Sequence, residues 1–140
     1  MLNLKGDIIK SFKIMIRGGE GPRLIPAGDL IGTKVNNFEN EELGRIKDVI
    51  IDMEYGTASY AILTHGGFLG MGEKLYAVPF EALELNPERD SLTLDVSLER
   101  MHNAPGFITE NWPETPSYEY LTDVYNYFGY ELYWLEPREK

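Results

Sequence analysis

Between residues 24 and 97, apolar and polar positions alternate in short runs divided by polar turns, the pattern of β-strands. GTKVNNF (32–38) reads as a strand and ENEE (39–42) as a polar turn. LGRIKDVIIDM (43–53) reads as a longer strand with Val49, Ile51 and Met53 on one face and Asp48, Ile50 and Asp52 on the other. EYGT (54–57) is a tight turn into ASYAILT (58–64). KLYAVPFEALEL (74–85) and SLTLDVS (91–97) follow, divided by NPERD (86–90), where Pro87 fixes a turn. In SLTLDVS, Leu92, Leu94 and Val96 alternate with Ser91, Thr93, Asp95 and Ser97. The core expected from these runs is Val49, Ile51, Ile62, Val78, Phe80, Leu92, Leu94 and Val96. Short strands without crossover helices predict antiparallel pairing, and so small a sheet hides its edges best as a closed or nearly closed barrel.

The flanks have a different period. LERMHN is a short helix with Ser97 as its cap, ended by NAPGF. TPSYEYLTDVYNYFG is a longer helix, with Thr115 as cap, Pro116 at the first position and Gly129 at the left-handed end. Leu121, Val124, Tyr125 and Phe128 make its apolar stripe. Residues 1–17 fit a helix face (Ile8, Ile9, Phe12, Met15, Ile16) and equally a strand (Phe12, Ile14, Ile16). RGGEGP (17–22) is a polar break. The chain divides into an N-terminal arm (1–23), a β domain (24–108) and an aromatic helical extension (109–140).

Charge sharpens this division. Net charge is −10. The arm carries Lys5, Lys10, Lys13, Arg17 and Arg23 against Asp7 and Glu20, so the remainder is strongly acidic. An acidic surface repels phosphate backbones and disfavours nucleic-acid binding. The basic arm suits docking on the acidic body of its own chain or a twin; membrane contact by the arm is a less favoured use of so short a segment. The 140 residues lack any cysteine, any apolar run long enough to span a bilayer and any secretory leader, which favours a cytoplasmic protein.

Candidate chemistry changes little. HGGFLGMGEK (65–74) resembles a phosphate-binding loop, and Gly67 and Gly72 have the spacing. Glu73 stands where lysine is required, however, and a strand follows instead of a helix N-terminus. A hairpin loop is the expectation. His65 and His102 have no partner at metal spacing, and the acidic turn 36–42 does not match an EF-hand. No G-x-S-x-G occurs, and no carboxylate stands out as catalytic. No catalytic, cofactor or metal residue is assigned, and a non-enzymatic protein is expected.

The segment DLIGTKVNNFENEELGRIKDVIIDMEYGTASYAILTHGGFLGMGEKLYAVPFEALEL, followed by LTLDVSLERMHNAPGF, resembles the PRC-barrel domain. The resemblance runs from about Leu24 to Phe107 and rests on Ile31–Gly32, LGRIKDVIID, GGFLGMGEKLYAVPF and NAPGF together. It implies a mainly β protein: a small antiparallel barrel, here with an N-terminal arm and a C-terminal helix, used as an interaction module without catalytic residues. The arm matches neither the transmembrane helix of the photosynthetic reaction-centre H subunit nor the extra domain of the ribosome-maturation factor, so neither partner carries over.

The expected function is assembly with itself, as a homodimer or larger, and with another, unidentified protein. A ribosome-associated or RNA-processing accessory role is one alternative; a small-molecule-binding or weakly hydrolytic barrel mouth is another. The tail YNYFGYELYWL holds more aromatics than one helix stripe can bury, so Tyr120, Tyr127, Tyr130 and Trp134 are the expected interface.

Overall fold

A computed structural model describes residues 24–65, 74–108 and 117–135. A short helix α1 (Ala27–Leu30) leads into β1 (Lys34–Asn36), β2 (Glu42–Asp52), β3 (Thr57–His65) and β4 (Lys74–Pro79). Pro79 ends β4 and a 3₁₀ turn, Phe80–Ala82, leads to the hairpin β5 (Leu83–Asn86) and β6 (Ser91–Leu94). Then come α2 (Leu98–His102), β7 (Gly106–Ile108), α3 (Tyr118–Phe128) and a 3₁₀ turn, Tyr133–Leu135. The glycine loop 66–73, the arm 1–23 and the positions Thr115 and Pro116 lie outside the described residues.

The strands form one seven-stranded sheet in the order β5-β6-β1-β2-β3-β4-β7. Two expectations are corrected. The β1–β6 pair is parallel, Val35 opposite Leu92, while the other neighbours are antiparallel. The two arms of the β5–β6 hairpin run opposite ways, so only one of them can oppose β1. β5 takes the outer position, and the strand beside β1 therefore runs with it. The ladder also does not close into a barrel among the described residues: β5 and β7 end the order and do not pair with each other.

The main core lies on one side of the sheet, where Val35, Leu43, Ile46, Ala61, Leu63, Val78, Leu92, Leu94, Val96 and Met101 are buried. α3 covers the other side of β3 and β4, sealing Tyr60, Ile62, Leu75 and Ala77 under Leu121, Val124 and Tyr125. Residues 59–63 and 75–79 are therefore buried on both faces. Ile62, Val78, Leu92, Leu94 and Val96 are buried as expected, and Val49 and Phe80 pack partly against the core. Ile51 and Met53 do not: they are 48% and 86% exposed. Register shifts in β2, between Ile46 and Asp48 and between Ile50 and Ile51, change the phase of the alternation, so the inward positions near the start (Leu43, Ile46) are not continued at 51 and 53.

The helix signals hold where they are described. Ser97 Oγ accepts from Arg100 N (3.1 Å) and caps α2. Ser117, not Thr115, caps α3, accepting from Tyr120 N at 3.2 Å. Gly129 ends α3 with φ 80°, a left-handed cap. Gly44 answers a different need. Its missing side chain lets the Thr64 carbonyl oxygen approach to 2.4 Å from where a Cβ would stand.

Candidate functional site

Asp52, the last residue of β2, gathers the most polar contacts. It receives the backbone amides of Glu54 (2.9 Å) and Tyr55 (3.3 Å), which fixes the β2–β3 turn. Its Oδ2 also accepts from the hydroxyls of Tyr118 (2.9 Å) and Tyr133 (2.5 Å), more than sixty residues away. The Tyr133 hydroxyl lies 2.8 Å from Ser59 Oγ on β3. Tyr125 donates to the Ser59 carbonyl (2.6 Å) and Tyr55 to the Trp134 carbonyl (2.8 Å). The tail is thus tied to the sheet through one carboxylate and the neighbouring backbone.

Partial burial pushes the Asp52 carboxyl up, but the hydrogen bonds from Tyr133, Tyr118 and the two amides outweigh it, and the group is held below its usual range. The same contact acts in reverse on Tyr133: burial and the hydrogen bond to Asp52 push its phenol up. The arrangement stabilises an ionised carboxylate facing neutral phenols. It has the features of a structural anchor; a general acid needs the opposite shift.

Aromatic rings build on this anchor. Trp134 stacks on Tyr118 at 5.2 Å and meets Tyr125 and Tyr133 edge-on at 5.2 and 4.9 Å. Next to these residues in the chain are exposed apolar side chains: Ile51 and Met53 flank Asp52, Leu135 follows Trp134, and Tyr118 itself is 43% exposed.

The four residues expected at an interface are not left over by the fold. Tyr120, Tyr130 and Trp134 pack partly against the cluster under α3, and Tyr130 and Tyr127 also pack on the main core. Tyr127 makes a reciprocal clasp with α2. Its hydroxyl donates to the Arg100 carbonyl (2.7 Å), Arg100 donates back to the Tyr127 carbonyl (2.7 Å), and the guanidinium lies 4.4 Å from the ring centre. Only Trp134 belongs to the exposed Asp52 face. All four are half-buried, packed in part by a second apolar layer that helical periodicity does not reveal.

Two further groupings emerge from the fold. His65, at the end of β3, and His102, at the end of α2, bring their Nε2 atoms to 2.9 Å although they are 37 positions apart in the chain. Among the described residues no group of three His, Cys, Asp or Glu side chains is placed to hold a metal ion. In the polar turn 36–42, Asn37 Nδ2 donates to Glu41 Oε1 (2.8 Å) and Glu41 N to Asn37 Oδ1 (2.9 Å), while Asn36 Oδ1 is buried without a hydrogen-bond partner among the described residues.

The second grouping is a cleft of about 750 Å³ along β5, lined by consecutive residues 83–88 with Ile25, Leu30, Phe38, Phe80, Leu92 and Thr93. It was missed in the sequence because α1, the turn at Phe38 and β5 meet only through the sheet order.

The sequence profile of the PRC-barrel domain matches residues 22–101, more than half of the chain. The chain belongs to the PRC-barrel domain family. The PRC-barrel match takes in α1, β1–β6 and the start of α2, and with them the cleft, Asp52, His65 and the Ser97 cap. It ends before α3, so the helix and the Tyr133–Trp134 segment that complete the Asp52 anchor lie beyond it. None of the curated proteins compared with this PRC-barrel chain matches it. Among the described residues no helix is long and apolar enough to cross a membrane.

Proposed function

We propose that the chain is a non-catalytic PRC-barrel interaction module that pairs with a second copy of itself and docks another protein through the face around Asp52. Membership of the family supports an interaction role. The single observation that carries the choice of face is the set of exposed apolar side chains (Ile51, Met53, Tyr118, Leu135) that belong to, or adjoin in sequence, the residues of a hydrogen-bonded aromatic anchor. Apolar groups on a pre-organised base lose little side-chain entropy on contact, and an aromatic centre is what interfaces favour. A second copy is the partner present at matching concentration, and two-fold pairing sets the same patch against itself.

The test is the mass in solution. Light scattering at micromolar concentration gives a dimer for the native chain. The double variant Met53→Glu/Leu135→Glu gives a monomer with an unchanged thermal midpoint, since both side chains are exposed and replaceable without opening the core. A native chain that is monomeric at both low and high salt overturns the self-pairing.

A further inference from the structure

We infer that the cleft along the free edge of β5 holds the chain's own N-terminal segment, residues 8–16, laid beside it as an added strand. This occupant is independent of the face around Asp52.

The cleft has the chemistry of a strand-docking site. β5 pairs with β6 on one side only, and its other edge is unpaired among the described residues. An unpaired edge presents a row of backbone donors and acceptors that an extended segment can satisfy. Its apolar lining includes Ile25, Leu30, Phe80, Leu83, Leu85 and Leu92. Leu83 and Leu85 pack only partly against the core, so β5 keeps apolar surface to offer. Glu84 and Glu88 also line the cleft, and neither forms a salt bridge among the described residues. Arg89 lies instead in the smaller adjoining cavity of about 140 Å³, with Asn36, Asn37 and Asn40.

The arm supplies the complement. In IIKSFKIMI (8–16), the even positions Ile8, Lys10, Phe12, Ile14 and Ile16 alternate with the odd positions Ile9, Ser11, Lys13 and Met15, so each set is largely apolar and carries one lysine. Lys10 and Lys13 carry the charge opposite to that of the two glutamates, and segment 1–23 is basic on a chain whose net charge is −10. Connectivity fits as well. The described chain begins at Leu24, and Ile25 already lines the cleft. The eight residue-to-residue steps from Arg17 to Ile25 reach about 26–29 Å when extended. Four-residue β5 is only about 13 Å long. RGGEGP can therefore turn the chain back along β5 within one molecule.

Zero-length carbodiimide cross-linking of the full chain at low micromolar concentration, read by peptide mass spectrometry, tests this without any substitution. The expected links join Lys10 or Lys13 to Glu84 or Glu88 within one chain. In parallel, amide exchange at residues 83–86 should be at least about tenfold faster in the Ile14→Glu/Ile16→Glu variant than in the native chain. Raised salt should speed it in the native chain, as expected for an attraction between exposed charges. Links that join two isotopically distinct copies assign the cleft to a neighbour's arm and overturn the intramolecular docking. Links from Lys10 and Lys13 to other carboxylates overturn the site. So does the absence of links together with exchange at 83–86 that the variant leaves unchanged.

Discussion

Replacing Gly44 with alanine loads the β2–β3 ladder at its tightest point. A Cβ there stands 2.4 Å from the Thr64 carbonyl oxygen and 3.3 Å from its carbon. Both are backbone atoms of the neighbouring strand, so no side chain can swing away. The strands must part or β2 must shift within a ladder held from Arg45–Thr64 to Asp52–Thr57. Forced overpacking of this kind costs about 1–3 kcal/mol. The backbone adds to it, since Gly44 has φ 153°, which L-residues rarely adopt, at about 1–3 kcal/mol. Alanine also stiffens the unfolded chain, which returns about 0.4–1 kcal/mol. The net expectation is a loss of about 3 kcal/mol. Gly28→Ala is the internal control: it makes the same change to the unfolded chain at a site where an added Cβ meets nothing within 4 Å, and a helical glycine replaced by alanine gains about 0.5–1 kcal/mol. Urea unfolding followed by far-ultraviolet circular dichroism measures both. If Gly44→Ala falls within about 0.5 kcal/mol of the control, the close approach of β2 to β3 is not what excludes a side chain there.

Other outcomes follow from the same packing. Leu94→Ala removes a side chain that is 2% exposed and should cost about 2–5 kcal/mol in urea unfolding; a loss under about 0.5 kcal/mol would contradict its place in the core. Two phenols in the layer between α3 and the sheet should behave oppositely. Tyr125→Phe removes the bond to the Ser59 carbonyl and should destabilise by about 1–2 kcal/mol, whereas the Tyr60 hydroxyl is buried with no hydrogen-bond partner among the described residues, so Tyr60→Phe should be neutral or stabilising. In acid, the unfolded chain protonates Asp52 before the folded one, because the folded carboxyl is held low. Its contribution is complete above about pH 4 and is lost as pH falls below that, and Asp52→Asn should flatten this part of the stability profile. In alkali, burial pushes Tyr60 and Tyr125 up to about 12. Unfolded phenols ionise near pH 10, so that stability is intact below about pH 10 and is lost as pH rises towards 12; phenolate absorbance should then rise together with unfolding, and a gradual rise in a folded chain would refute it.

The sequence carries local rules well and long-range ones poorly, and particular residues show why. Ser97 and Gly129 were legible because a cap depends on residues within one turn. The stripe Leu121, Val124, Tyr125 and Phe128 was legible because a helix has a fixed period. Ile51 and Met53 were misplaced because the shifts in β2 reset an alternation that reads as unbroken. The packing of the aromatic tail was only partly legible for a related reason. A helix stripe predicts what one face buries, but the 3₁₀ turn at Tyr133–Leu135 adds Tyr133 and Trp134, which pack against Tyr125. Asp52 had nothing to distinguish it from Asp48 until Tyr118 and Tyr133 were brought to it. His65 and His102 meet because one strand and one helix end at the same place, which no spacing along the chain encodes.

That α3 seals the outer face of β3 and β4 has a consequence for how the protein is made. β4 ends at Pro79 and α3 at Phe128, so about fifty residues are synthesised after the central strands before their lid exists. At about 5–20 residues per second, this leaves Tyr60, Ile62, Leu75 and Ala77 uncovered for roughly 2–10 s on each nascent chain. The delay is long compared with hairpin formation, which takes microseconds. A half-built sheet therefore waits on the ribosome with one greasy side bare, and the yield of native protein should depend on translation speed and on whatever shields that side in the interval.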